Sequence, residues 1–325
     1  MVLGTDHIVI ATGSEPRLPS VRGLGDVTVW TNREATTLAE IPGRAALIGG
    51  GPVGIELGQM LARFGSEVTI VQAAESLIDR EDPRVGELIR DALESDGIDV
   101  RLGRRPKEAR RDGSGVRLEL DDGSTIAADD VVIGAGRSPR VQGIGLEQVG
   151  FAAPGRGLPV DDRCRLAEGL WAVGDVTGVM LFTHVAKYQG RIAAANILGR
   201  PARADYRSVP RVVFSDPEIA TAGLTQARAR ETGIDAVAAE VTWPPRLPAR
   251  RRTSGIHAVT SASSPTAAGA SSSGPGRSLR SRASGSTRRA RAIRAEIPLE
   301  TLRDTVAQFP TYSEAYLTGL ERLDI

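Results

Sequence analysis

One stretch, "AALIGGGPVGIELGQMLARFGSEVTIVQ" (residues 45–72), constrains this chain more than any other. An apolar run, Ala45 to Ile48, meets a glycine turn. An amphipathic segment follows and closes on Gly65, and a second apolar, β-branched run ends at Gln72. A strand, turn, helix and strand this close together predict one arrangement, a parallel βαβ unit with its crossover helix against the sheet.

The glycines give the turn its chemistry. Gly49, Gly51 and Gly54 stand in G-x-G-x-x-G register, with Pro52 and Val53 between the last two. The first glycine of such a turn permits the tight bend, the second lets a pyrophosphate approach the backbone, and the third lets helix and strand pack closely. The helix N-terminus then offers its N–H groups to the phosphates. The triplet alone is weak, but here it follows a strand, opens a helix and meets a second strand, which is the confirming context. It predicts a site for NAD(P). Base-side choice rests on the end of the second strand, where an acid binds the ribose hydroxyls and a nearby Arg favours a 2′-phosphate. Gln72 holds that place and the next residues, "AAES", carry no Arg. The balance tilts toward NAD and leaves NADP open.

Around this unit, "DPRVGELIRDALESDG" (82–97) predicts a helix capped by Asp82 with Pro83 at its first position. "IDVRLG" predicts a strand, a hairpin is expected around Asp122-Gly123, and residues 130–134 form a last apolar strand. To the N-terminal side, "DHIVIATGSEP" predicts a short buried strand, Ile8 to Ala11, stopped by Thr12-Gly13-Ser14. A buried strand needs neighbours on both sides, and few residues precede this one. Further on, "GLWAVGDVTG" predicts a strand delivering Gly174-Asp175 into a turn, where the Asp either caps the turn or serves a ligand. "HVAKYQGRIAAANILG" and "TQARARETG" predict helices, "PRVVFSDPEIATAGLT" a strand and a loop, and "IPLETLRDTVAQFP" a helix up to Pro310.

The texture changes after Glu240. No Asp or Glu occurs between Glu240 and Glu296, and no Phe, Trp or Tyr between Trp243 and Phe309. Ser, Ala, Gly and Arg without periodicity bury too little apolar surface to offset their ordering entropy, so disorder is expected over about 246–292. A reading-frame excursion within the gene would produce the same texture. The basic run 250–291 has no interleaved aromatics and no helical stripe of charge, so nucleic-acid binding is not expected. Basic and acidic residues nearly cancel, 41 against 40, which leaves no global field to recommend nucleic acid or a membrane. No apolar run has the length of a membrane span and no signal peptide is evident, so a cytoplasmic protein is expected. The single cysteine, Cys164, has no partner for an internal disulfide and is read as packing. His7, His184 and His257 form no cluster with metal-ligand spacing.

Six pieces stand in order along the chain: "IVIATGSEP", "LIGGGPVGIELGQ", "VVIGAGRSP", "GLWAVGDVTG", "VVFSDPEIATAGLT" and "FPTYSEAY". On these the chain resembles the pyridine nucleotide-disulfide oxidoreductases, the flavoprotein family of dihydrolipoamide dehydrogenase, glutathione reductase and mercuric reductase. The resemblance implies an α/β architecture in three parts. A split FAD-binding domain (1–40 and 140–200) would receive a Rossmann-like NAD(P) domain (41–139) as an insert. An α+β dimerisation domain (201–325), partly disordered, would follow. FAD and NAD(P) are the implied cofactors, with hydride passing from NAD(P)H to FAD and electrons then to an acceptor. A homodimer is implied as well.

The resemblance also assigns residues. Thr12, Gly13 and Ser14 would lie along the flavin nucleotide. Asp175, delivered by Gly174, would hold the ribityl chain, and Leu181, Phe182, Thr183 and His184 would line the flavin. Glu56 would sit near the nicotinamide–flavin contact, and Gly136 would border the NAD site. Two departures stand out. The family's N-terminal βαβ unit, with its own glycine fingerprint, its redox cysteine pair and a Lys for Glu56, has no counterpart here, so a truncated copy is expected. Where disulfide-reducing members carry a catalytic His, this chain has Phe309, which cannot transfer a proton. Glu314 is left without an imidazole to orient. A quinone, dye or metal ion is therefore expected as acceptor over a disulfide, and an inactive NAD-binding remnant is the alternative.

Overall fold

The computed structural model describes residues 4–151, 155–242, 255–261, 267–273, 279–307 and 312–323. They form two compact units, Met1–Leu18 with Gly136–Tyr206 and Pro19–Ala135 with Arg207–Ile325.

The second unit is built on a five-stranded sheet in the order Val29–Trp30, Asp130–Ile133, Arg44–Ile48, Glu67–Val71, Asp99–Arg101, with every neighbouring pair parallel. The apolar run at 45–48 makes the central strand because both its faces are covered. Alternate residues point to opposite sides. Ala45 and Leu47 join Ile55, Leu61, Ile89 and Leu93 of the two helices Pro52–Arg63 and Pro83–Ser95. Ala46 and Ile48 meet Leu118, Leu120 and Ile126 of an antiparallel sheet made by Pro106–Asp112, Gly115–Leu120 and Thr125–Ala128. The hairpin expected at Asp122-Gly123 joins the last two of these strands. Helix Pro83–Ser95 starts as its sequence dictates: the Asp82 carboxylate accepts from Arg84 N at 3.0 Å, and Pro83 opens the first turn.

The same unit carries an antiparallel sheet in the order Pro210–Val213, Ile219–Gly223, Ala267–Ser273, Gly255–Ser261, Ala236–Thr242. Two expectations are corrected here. Residues 210–223 make two strands, not one strand and a loop. The stretch expected to be disordered over 246–292 contributes, in its described residues, two strands and most of the helix Leu279–Arg294. Composition measures what side chains can bury, whereas these strands take their order from backbone pairing with Ile219–Gly223 and Ala236–Thr242. The helix expected up to Pro310 runs only Leu299–Arg303. Beyond it Val306 is exposed, so the chain has no apolar stripe to bury. Phe309 lies outside the described residues.

In the first unit, Ile8–Ile10 pairs in parallel with Leu170–Ala172, which pairs in turn with Arg165–Ala167. Ile8 and Val9, expected to be buried, are 53% and 47% exposed. Among the described residues the strand has a sheet neighbour on one side only. Ser14–Pro16 pairs antiparallel with Arg137–Pro139. Helix Thr183–Ile197 packs Ile192 and Ala193 against Trp171 and the buried Cys164. No helix among the described residues is long and apolar enough to cross a membrane.

Gly190 lies inside helix Thr183–Ile197, and a Cβ built on it meets nothing within 4 Å. Gly190→Ala is expected to stabilise the protein by about 0.5–1 kcal/mol through the lost backbone freedom of the unfolded chain. Urea unfolding at constant m-value measures this; a lower midpoint would contradict the open surroundings.

Candidate functional site

Three backbone segments converge at the mouth of helix Pro52–Arg63. Gly49 has φ +116°, and a Cβ there would lie 2.5 Å from the Gly134 carbonyl oxygen. A Cβ on Gly54 would lie 1.9 Å from the Gly49 carbonyl oxygen. Both glycines are thus required by packing of strand, turn and helix. Gly51 differs. Its φ of −83° suits any residue, and a Cβ on it meets nothing within 4 Å. Nothing among the described residues demands glycine there, and a side chain would project into open space beside the helix N-terminus. That is the fit expected where a diphosphate approaches the backbone. No side chain caps the helix, and its first turn carries no acid, so no carboxylate competes with an anion for the dipole's positive end.

Gln72 closes the turn from below. Its Oε1 accepts from Gly50 N at 3.1 Å and its Nε2 donates to the Ser76 carbonyl at 3.2 Å. The amide proposed from sequence as a ribose contact is therefore tied into the glycine loop. Gly134, at the end of strand Asp130–Ile133, donates its N–H to the Ile48 carbonyl at 2.8 Å. Sequence reasoning did not single it out, although "GAG" after an apolar strand marks a place where backbones approach closely.

Along the same helix, Glu56, Gln59 and Arg63 share one face and all reach the turn after Pro210–Val213. Glu56 Oε1 accepts from Phe214 N at 2.8 Å, Gln59 Oε1 from Asp216 N at 2.6 Å, and Arg63 pairs with Asp216 at 2.9 Å. Burial pushes the Glu56 carboxyl above its ordinary value, and the Phe214 bond opposes the shift.

In the first unit, Ser14 and Asp175 come together from distant parts of the chain. Ser14 Oγ donates to Asp175 Oδ2 at 2.5 Å, Arg137 Nε donates to Ser14 Oγ at 2.7 Å, and the same guanidinium lies 3.7 Å from Asp175. Thr12 Oγ1 donates to the Arg140 carbonyl at 2.6 Å, and Gly13 takes φ +76°. Asp175 follows Gly174, whose φ is +81°, in the short turn Gly174–Thr177. A partly exposed carboxylate flanked by hydroxyl and guanidinium suits a hydroxylated, anionic ligand. Arg137 was missed from sequence, although it lies in "GAGRSP". Leu181 and Phe182 lead into helix Thr183–Ile197, where Thr183 and His184 are exposed and the Phe182 and His184 rings stack with centroids 5.2 Å apart. Gly136, with φ +97°, belongs to this first unit and accepts from Arg17 N. Glu314 lies in the first turn of helix Tyr312–Glu321.

Residues 2–190 match the family model of the pyridine nucleotide-disulphide oxidoreductases, and residues 209–319 match the family's dimerisation domain. Dihydrolipoyl dehydrogenase of Geobacillus stearothermophilus is 38% identical over 240 residues, covering 72% of this chain and 51% of that protein. The enzyme of the same name from Haloferax volcanii is 34% identical over 330 residues, 97% of this chain and 68% of its own length. Mercuric reductase of Staphylococcus aureus is 35% identical over 233 residues, 70% of this chain and 43% of that protein. The chain thus spans about half the length of several relatives. Among solved structures, the Cu(II) complex of the flavoprotein disulfide reductase RclA from Escherichia coli superposes with TM-score 0.84 at 28% identity, over 98% of this chain and 73% of that one. LpdA from Mycobacterium tuberculosis gives TM-score 0.84 at 27% identity, over 98% and 69%.

Gly51→Ala separates ligand effects from folding. Its thermal midpoint is expected to match the parent while NADH affinity falls about tenfold or more, since the methyl group obstructs only the ligand; unchanged affinity by titration calorimetry would remove the cradle from the site. Glu56 gives a pH signature. Its folded-state value lies above the unfolded one, so the folded state binds more protons between the two, and stability falls as pH rises through that window. Glu56→Gln keeps an acceptor for Phe214 N–H and removes the titration. The expected outcome is greater stability at neutral pH and a flatter urea-midpoint profile from about pH 4 to about pH 8.

Proposed function

The chain belongs to the pyridine nucleotide-disulphide oxidoreductase family, and from that premise we propose that it is a flavin-dependent NAD(P)H oxidoreductase. With both cofactors bound, the chemistry supplied would be hydride transfer from NAD(P)H to FAD and onward electron transfer to a quinone, dye or metal ion. The observation that carries the reading is the unforced glycine at Gly51, open to a ligand at an uncapped helix mouth. When bound, the nicotinamide and flavin supply the redox chemistry, and the protein sets their positions.

The protein's own contributions follow from residue types. Val53 and Gly54 offer N–H groups to the diphosphate, while Pro52 has none to leave unsatisfied and pre-sets the first turn. Asp175 and Ser14 present acceptors and a hydroxyl to the flavin's sugar chain, with Arg137 balancing the carboxylate. Thr12, Gly13, Leu181, Phe182, Thr183 and His184 are assigned to the same cofactor, and Glu56 to the nicotinamide–flavin contact, by the family resemblance. NAD is favoured over NADP because the four residues after Gln72, namely Ala73, Ala74, Glu75 and Ser76, include no cation for a 2′-phosphate. A non-disulfide acceptor is supported by Phe309, since a departing thiolate needs a proton donor and phenyl offers none. The match of residues 209–319 to the dimerisation domain supports a homodimer.

A second reading, an NAD-binding protein without turnover, is supported by Phe309, which stands where the resemblance implies a catalytic His and cannot transfer a proton. A visible spectrum of the protein with added FAD separates the two. The first reading expects bound flavin, bleached anaerobically by NADH, and turnover with quinone or dye but not with lipoamide. A colourless protein that still binds NADH supports the second, and failure to bind either nucleotide overturns both.

A further inference from the structure

Helix Thr183–Ile197 buries a glutamine completely. Gln189 is 0% exposed, and an amide with unmet bonds in such a place is strongly destabilising. Its partners are all found. Oε1 accepts from Gly174 N at 2.7 Å, and Nε2 donates to Tyr206 Oη at 3.0 Å and to Thr177 Oγ1 at 3.3 Å. Thr177 Oγ1 donates its own proton to the Gly174 carbonyl at 2.8 Å. The hydroxyl can therefore only accept from Gln189, which forces the amide nitrogen toward Thr177 and the oxygen toward Gly174.

Both polar groups of Gly174 are held in this way, at a residue with φ +81° whose Cβ, if present, would press on Ala186 at 3.3 Å. Asp175 is the next residue. Burial pushes the Tyr206 hydroxyl up to about 12, so it stays protonated, and it meets both Gln189 and the Cys164 thiol. The network runs from a buried thiol through a phenol and an amide to the backbone of the turn that presents Asp175.

We propose that Gln189 is a positioning residue for the flavin: it fixes the Gly174-Asp175 turn through the Gly174 N–H, with Tyr206 as its anchor. The proposal rests on the flavin reading above. Gln189→Leu preserves size and removes every bond, whereas Gln189→Glu keeps an acceptor for Gly174. In Gln189→Leu, hydrogen exchange at Gly174 in the flavin-free protein is expected to speed up about tenfold. FAD affinity, titrated by fluorescence, is expected to fall about tenfold while NADH affinity stays as in the parent. Gln189→Glu restores most of both effects, which general loosening of the helix would not permit. Tyr206→Phe, which keeps the ring, is the second variant should Gln189→Leu fail to fold, and about threefold weaker FAD binding is expected from it.

Flavin affinity within twofold of the parent, with unchanged exchange at Gly174, overturns the proposal and leaves the flavin reading intact. A parent protein that takes up no FAD overturns the flavin reading itself and the proposal with it.

Discussion

The second unit is organised around one crowded point, where the backbones of Gly49, Gly54 and Gly134 meet closer than any side chain permits. A Cβ on Gly54 would stand 1.9 Å from the Gly49 carbonyl, and one on Gly49 would stand 2.5 Å from that of Gly134. Because these three are bare, strand Arg44–Ile48 can run straight into helix Pro52–Arg63 with strand Asp130–Ile133 alongside. The two hydrophobic layers then follow, since a strand so placed sends Leu47 to the helices and Ile48 to the antiparallel sheet. Bulk at Gly49 or Gly54 separates strand from helix and loosens both layers together, because close-packed interiors transmit such displacements.

The two units solve the same local problem with the same chemistry. Each has a turn whose shape depends on a glycine at positive φ, Gly49 in one and Gly174 in the other. In each, a glutamine amide oxygen from elsewhere in the unit accepts from a glycine N–H of that turn: Gln72 with Gly50, and Gln189 with Gly174. A neutral amide suits this work. It meets a backbone donor without burying a charge, and it donates in the other direction so that its own burial is compensated. Along helix Pro52–Arg63 the Gln59 amide likewise accepts from a backbone N–H, that of Asp216, while the Glu56 carboxyl accepts from Phe214 N.

Much of this was legible in the sequence because the underlying signals are local. Asp82-Pro83 announced a helix start, Asp122-Gly123 a hairpin, and the register of Gly49, Gly51 and Gly54 a cradle. Each depends on residues a few positions apart, and the structure has the helix start, the hairpin and the close-packed glycine turn. What escaped depends on distant partners. The pairing of Ser14 with Asp175 and Arg137 joins positions well over a hundred residues apart, and no periodicity announces it. The strands at 255–261 and 267–273 escaped for a related reason: their order comes from backbone neighbours, whereas the sequence shows small side chains throughout 267–273 and only Ile256 and Val259 as larger apolar ones in 255–261. Gln72 was seen and its partner was not, since its position at a strand end says nothing about whether its amide faces a ligand or Gly50.

The placement of charge points the same way. The chain is almost neutral overall, and the fingerprint helix has no acid in its first turn and its basic residue, Arg63, in its last. That distribution leaves the dipole's positive end unopposed at Gly51 and complements its negative end at the far side. An anion placed at the helix mouth would meet backbone N–H groups. Recognition built from backbone tolerates wide change in side chains elsewhere, provided that the glycines and the amides bracing them persist. A chain at roughly one-third identity to its relatives can therefore keep the geometry of the glycine turn, with Gly49 and Gly54 bare where the backbones meet, while its side chains diverge.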